Sequence, residues 1–120
     1  MKVFVYYNLH RKCWSVKALE GPSKGRVIMH TLSLLLTACT FKVSEAGRQR
    51  VLKERRKNVH AGVVGYLCED NVCVGGDVVA VSYNPYRAGH FFAKDTGTAV
   101  YSADVVQMQD RQVLCRSWAR

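Results

Sequence analysis

Acidic residues are scarce in this chain: 9 Asp and Glu stand against 18 Lys and Arg in 120 residues. Asp77, Asp95, Asp104 and Asp110 are scattered singly, so the sequence offers poor support for the clustered carboxylates of a two-metal nuclease. A phosphate-binding glycine loop ending in Lys-Ser/Thr, a dinucleotide fingerprint and a His-Glu-x-x-His pair are all missing, and no nucleotide or metal cofactor is expected. Long hydrophobic runs are missing too. Leu32–Ala38 is the longest apolar-looking stretch, but Ser33 and Thr37 interrupt it and it is too short to span a membrane. Lys2 is followed by a short alternating run rather than a signal-peptide core. The 5 cysteines are Cys13, Cys39, Cys68, Cys73 and Cys115, an odd number. Cys68 and Cys73 are spaced too loosely for a zinc knuckle and have no second pair to complete a site. They are expected to face each other across a hairpin, with all thiols reduced in a cytosolic compartment.

What the chain has is positive charge. The net charge is +9, the sequence pI is about 9.6, and hydrophobic residues make up 48%. Residues 1–120 are expected to form a single domain with one core that needs no metal or disulfide. The charge is concentrated: Lys42–Ala61 holds seven of the 18 basic residues, opposed only by Glu45 and Glu54. A segment this cationic suits a polyanionic partner.

Along the chain, Lys2–Asn8 and Cys13–Leu19 read as strands from their β-branched and aromatic content, with Asn8–Lys12 as the hairpin loop. Gly21–Gly25 is a turn, and Arg26–Met29 restarts extended structure. In Thr31–Val43, Leu32, Leu34, Leu36 and Ala38 alternate with Thr31, Ser33 and Thr37, which favours a strand over a helix. Ser44 is a suitable N-cap and Glu45 suits the first turn, so one principal basic helix is expected from Ser44 to about Lys57, with Val51 and Leu52 facing a sheet. Gly47 is expected to weaken it by roughly 1 kcal/mol. His60–Leu67 reads as a strand whose two glycines signal a bulge or a close backbone approach. Cys68–Cys73 and Gly75–Asp77 read as turns, Val78–Tyr83 as a buried strand, and His90–Lys94, Thr98–Tyr101, Val105–Met108 and Gln112–Cys115 as short strands. The expected class is α+β: a mostly antiparallel, twisted sheet or small partly open barrel with one principal basic helix.

Two constellations carry candidate chemistry. Arg48, Arg50, Lys53, Arg55, Arg56, Lys57 and Asn58, joined by Arg87, are the candidate nucleic-acid-binding residues, because Lys and Arg neutralise phosphates. The second is Tyr7, Asn8, His10, His60, Tyr83, Asn84, Tyr86 and Arg87, which all fall at strand ends or turns. Among these, His60, His10 and Tyr86 are the candidates for proton transfer in a metal-independent ribonuclease. The competing reading makes the tyrosines turn aromatics and the histidines loop caps. Lys57, Asn58 and His60 are expected to adjoin the Tyr83–Arg87 turn.

The runs Y-Y-N-L-H-R-K (Tyr6–Lys12), K-V-S-E-A-G-R-Q-R-V (Lys42–Val51), K-N-V-H-A (Lys57–Ala61) and Y-N-P-Y (Tyr83–Tyr86) resemble those of a family of small bacteriophage-encoded proteins. The resemblance implies a phage origin and residence in the bacterial host cytoplasm. It brings no activity with it. The leading expectation is a basic phage protein that binds nucleic acid, RNA or DNA, through its cationic helix without catalysis. The alternatives are an inhibitor of a host defence complex (CRISPR-like) or nucleic-acid enzyme through protein contact, and a metal-independent RNase.

Overall fold

The computed structural model describes residues 1–68 and 78–119, with side chains through residue 116. The described chain forms β1 (Lys2–Asn8), β2 (Cys13–Ala18), β3 (Val27–Thr31), β4 (Ser33–Val43), α1 (Glu45–Glu54), β5 (Ala61–Leu67), β6 (Val79–Ser82), β7 (Phe91–Ala93), β8 (Ala99–Val100), β9 (Ser102–Gln109) and β10 (Gln112–Ala119). All ten strands join one sheet in the order β3-β2-β1-β5-β4-β9-β10-β6-β7-β8, and every pairing is antiparallel. The turns expected at Cys68–Cys73 and Gly75–Asp77 fall largely outside the described residues.

This corrects the expected α+β class and its principal basic helix. The described residues form a ten-stranded antiparallel sheet carrying one helix of 10 residues. The ladder order ends in two edges, β3 and β8, so it is an open sheet rather than a barrel. The helix starts where capping chemistry places it, with Ser44 Oγ accepting from the Gly47 amide at 3.2 Å. It stops at Arg55, which turns left-handed (φ 55°) while its amide bonds Val51 O.

Chain length explains the early stop. Val43 pairs with Ala61, and the Ser44 amide bonds His60 O at 2.7 Å, so the segment between must return to its start. A helix continued from Ser44 through Lys57 would rise about 21 Å, and the residues left could retrace only about 10 Å. Stopping at Glu54 leaves Arg55–His60 to span the return. Leu52, expected to face the sheet with Val51, is only partly buried; Val51 is the helix's one buried residue.

The sheet coils because its connections require it. A single residue, Leu32, joins β3 to β4, although β2, β1 and β5 lie between them; a single residue, Tyr101, joins β8 to β9 across β7, β6 and β10. Two residue steps reach about 7 Å, whereas four strand spacings in a flat sheet would span about 19 Å. Each half must therefore curl until its edge comes round to the centre. The concave side encloses one core drawn from both halves, including Val5, Trp14, Leu36, Phe41, Val63, Val81, Phe91, Val106, Met108 and Val113.

Two strand details place the core. In β4 the register slips between Thr37 and Thr40, and Ala38 takes φ 50°, a bulge with two residues opposite Gly65. The bulge shifts the inward phase, so Leu36, Cys39 and Phe41 are buried while Ala38 is exposed, contrary to the simple alternation. A Cβ on Gly65 would sit 3.0 Å from Thr37 O, and one on Gly62 would run into the Val5 carbonyl and the Phe4 ring.

Candidate functional site: a cation-rimmed cavity

One end of the coiled sheet opens as a cavity of about 840 Å³. Its mouth is built from the end of β1 and the loop after it (Tyr6–His10), the return segment Lys57–His60 before β5, and the turn after β6 (Tyr83–Arg87). Its floor is apolar, with Val5, Val63, Val81, Met108 and Val113 from five strands. No Asp or Glu is found among the described residues lining it, whereas Lys57, Arg87, Lys94 and Arg111 are.

The second sequence constellation converges here: Tyr7, Asn8, His10, His60, Tyr83, Asn84, Tyr86 and Arg87 all line the cavity. Lys57–His60 adjoins the 83–87 turn, and the link is a hydrogen bond of 2.6 Å between His60 Nε2 and the Tyr83 hydroxyl. On the other side of the imidazole, Nδ1 lies 3.0 Å from Asn58 Oδ1 and 3.1 Å from Asn58 O. Both are acceptors, because the Asn58 amide nitrogen donates to Gly47 O at 3.4 Å. Neutral His60 therefore carries its proton on Nδ1 and presents a lone pair at Nε2, which the Tyr83 hydroxyl satisfies as donor. Burial pushes the Tyr83 phenol above its ordinary value, Glu45 adds to the rise and Arg48 opposes it. The ring stays protonated at neutral pH and is also packed against Phe91 at 5.1 Å.

The helix fixes this arrangement. Arg48 donates through Nε to Pro85 O at 2.9 Å and pairs through Nη1 with Glu45 at 3.0 Å, tying α1 to the 83–87 turn. Hydrogen bonds from Gln49 and Arg48 hold the Glu45 carboxyl below its ordinary value. In the turn, Asn84 Oδ1 accepts from the Tyr86 amide, and Asn84 O accepts from the Arg87 and Ala88 amides. Gly47 faces His60, and a Cβ there would lie 2.5 Å from His60 Cβ. The glycine expected only to weaken the helix is what lets His60 approach it.

The structure divides the candidate nucleic-acid residues. Arg48 is engaged within the fold, its side chain 18% exposed. Asn58 orients His60. Arg87 stacks over the Phe92 ring at 4.0 Å with its residue exposed. Arg50, Lys53, Arg55, Arg56 and Lys57 are exposed along the end of α1 and the return segment, and Lys57 reaches the cavity mouth. Of the proton-transfer candidates, His60 is bonded to Tyr83, while Tyr86 (65% exposed) and His10 stand on the mouth.

Sequence reasoning missed Lys94, Arg111 and Trp14 in this site. Arg111, in the β9–β10 turn, sits 5.0 Å from the Tyr7 ring of β1, and Trp14 Nε1 donates to Asp110 O in that turn at 2.7 Å. Over 90 residues separate these partners along the chain, and no local signal joins them.

Fold and site together define a small, basic, open antiparallel-sheet protein with a cation-rimmed cavity at one end of its strands. The chain belongs to a bacteriophage protein family: the family model described as Mycobacterium phage L5 gene 82 protein matches residues 1–116. It is similar to the protein named gene 82 protein from Mycobacterium phage L5, with 43% identity over 121 residues, covering 94% of this chain and 94% of that protein. No solved structure matches it. Among the described residues, no helix is long and apolar enough to cross a membrane.

Proposed function

We propose that this phage protein binds nucleic acid, without catalysis, in the cytoplasm of the bacterial host. One observation carries the reading: Arg50, Lys53, Arg55, Arg56 and Lys57 form an exposed cationic track that runs to the mouth of a cavity with no carboxylate among its described lining residues. The one ion pair among the described residues, Arg48–Glu45, involves none of these five, and Glu54 is the single carboxylate among them. A phosphodiester backbone matches it in charge, and the aromatic mouth offers surfaces on which unpaired bases stack.

Fluorescence anisotropy with single-stranded and duplex oligonucleotides at about 50 and 200 mM salt tests this. Five phosphate contacts on a single strand predict a loss of affinity of about a hundredfold across that range. Changing the five track residues to Gln removes most of the binding and flattens the salt slope by about 3–4. Unchanged binding in that variant overturns the reading. A stoichiometric host protein, recovered after nuclease treatment, would instead favour inhibition by protein contact.

The His60–Tyr83 pair supports one second reading, metal-independent cleavage of RNA. The Tyr83 hydroxyl and His60 Nε2 form a hydrogen-bonded pair at 2.6 Å, and Lys57 lines the same cavity. RNA cleaved in EDTA by the wild type, and slowed about 100-fold or more by His60→Ala, would establish it.

A further inference from the structure

We propose that the cavity is a binding site for a single nucleoside phosphate, taken up either free or as an unstacked residue of a strand. The inference rests on the cavity, which shares only Lys57 with the cationic track, so the ligand series below separates the two readings.

Size comes first. At about 840 Å³ the cavity falls within the range of small-molecule sites and exceeds the gaps left by imperfect core packing. Its chemistry is layered. The floor is aliphatic, the walls above carry aromatic rings, and the rim carries Lys57, Arg87, Lys94 and Arg111, all exposed. The ligand that matches is therefore flat and apolar at one end and anionic at the other.

The walls also carry polar groups held in fixed positions. Tyr83 O–H and His60 Nε2 satisfy each other at 2.6 Å, and Asn58 sets the direction of the imidazole from behind. With its proton given to His60, the Tyr83 oxygen keeps lone pairs that can accept from an N–H of a base edge, a donor that a hydrocarbon chain does not supply. Two rim guanidiniums are already disposed over aromatic rings, Arg87 above Phe92 at 4.0 Å and Arg111 above Tyr7 at 5.0 Å. That stacking holds each guanidinium plane while leaving its N–H groups to take a phosphate through the bidentate geometry that suits arginine. A base in the cavity with its phosphate at the rim engages all three layers together.

The test is isothermal titration of the wild-type chain with AMP, UMP, adenosine, ribose 5-phosphate and decanoate. The indole N–H of Trp14, which lines the cavity, is followed in parallel by NMR. The expected result is binding of AMP or UMP with a shift of the Trp14 resonance, and affinity at least about tenfold weaker for adenosine and for ribose 5-phosphate, since each lacks one of the two recognised parts. Lys57→Gln with Lys94→Gln, two exposed positions whose change leaves the core intact, should weaken AMP about tenfold or more without altering the melting temperature. Tyr83→Phe should weaken AMP more than it weakens ribose 5-phosphate.

No nucleotide binding at millimolar concentration overturns the proposal, as does ribose 5-phosphate binding as tightly as AMP, or decanoate displacing AMP. If a variant fails to fold, the wild-type ligand series still decides. AMP binding without oligonucleotide binding assigns the site to free nucleotides and removes the reading under Proposed function. Oligonucleotide binding that leaves Trp14 unshifted, with AMP inert, keeps that reading and removes this one.

Discussion

Replacing Gly47 with alanine sets two effects of opposite sign against each other. Helix propensity favours alanine by about 1 kcal/mol, so an unobstructed helix would gain stability. At this position the new Cβ would meet His60 Cβ at 2.5 Å and His60 Cα at 3.6 Å. The obstruction is not the flexible end of a side chain. The His60 carbonyl accepts from the Ser44 amide at 2.7 Å, and its ring is fixed by Asn58 and Tyr83. Overpacking of this kind costs about 1–3 kcal/mol, and displacing the imidazole forfeits about 1 kcal/mol for its bond to Tyr83. The net expectation is a loss of about 2 kcal/mol, read as a lower urea midpoint at unchanged m-value. A double-mutant cycle isolates the contact: in a His60→Gly background, which removes the obstructing Cβ, Gly47→Ala should become stabilising by about 1 kcal/mol. A stabilising Gly47→Ala in the wild-type background, or the same sign in both, would refute the reasoning.

Other outcomes follow from the same geometry. Burial pushes the Cys39 thiol up to about 12 and the Cys115 thiol up to about 11 from an ordinary 9.0, so both should resist iodoacetamide in the native protein and react on unfolding, while the partly exposed Cys13 reacts first. A raised folded-state value means that the native state holds these protons more tightly, so the stabilisation is complete below pH 9 and is lost as pH rises through about 11–12. The free energy of unfolding should fall accordingly between about pH 9 and 11, read as a lower urea midpoint, and an unchanged midpoint there would contradict the burial argument. Arg48→Ala should detach α1 from the 83–87 turn, losing about 1–3 kcal/mol and broadening the Tyr83 and Tyr86 NMR resonances; sharp, unshifted resonances would show that the turn holds itself. Asn58→Ala should free the His60 ring to exchange tautomers, visible in its ¹⁵N imidazole shifts, and a retained Nδ1–H form would show that Asn58 O suffices alone.

The local grammar of the chain was legible. Val3 and Val5 alternate inward along β1, Ser44 caps the helix, and the glycines of β5 sit where a bulge and a close backbone approach require them. These features depend on neighbours a few residues away, so periodicity and side-chain chemistry reveal them. The class and the helix length were not legible. Seven basic residues in Lys42–Ala61 suggest a long cationic helix, but the pairing of Val43 with Ala61 forces the chain back after 10 helical residues, and that pairing is a tertiary fact.

Part of the site could be suspected from composition, since histidine, tyrosine, asparagine and arginine cluster at strand ends. Its assembly could not. Tyr83 becomes the partner of His60 because the coiled sheet brings the start of β5 against the end of β6. Arg111 and Trp14 join the cavity because the same coiling carries the β9–β10 turn over the start of β2. The sequence by itself determined a basic, strand-rich chain of this phage family and the residues able to do chemistry. Which of them meet was decided by single-residue connections at Leu32 and Tyr101, which are too short to cross a flat sheet and so oblige it to curl around a cavity.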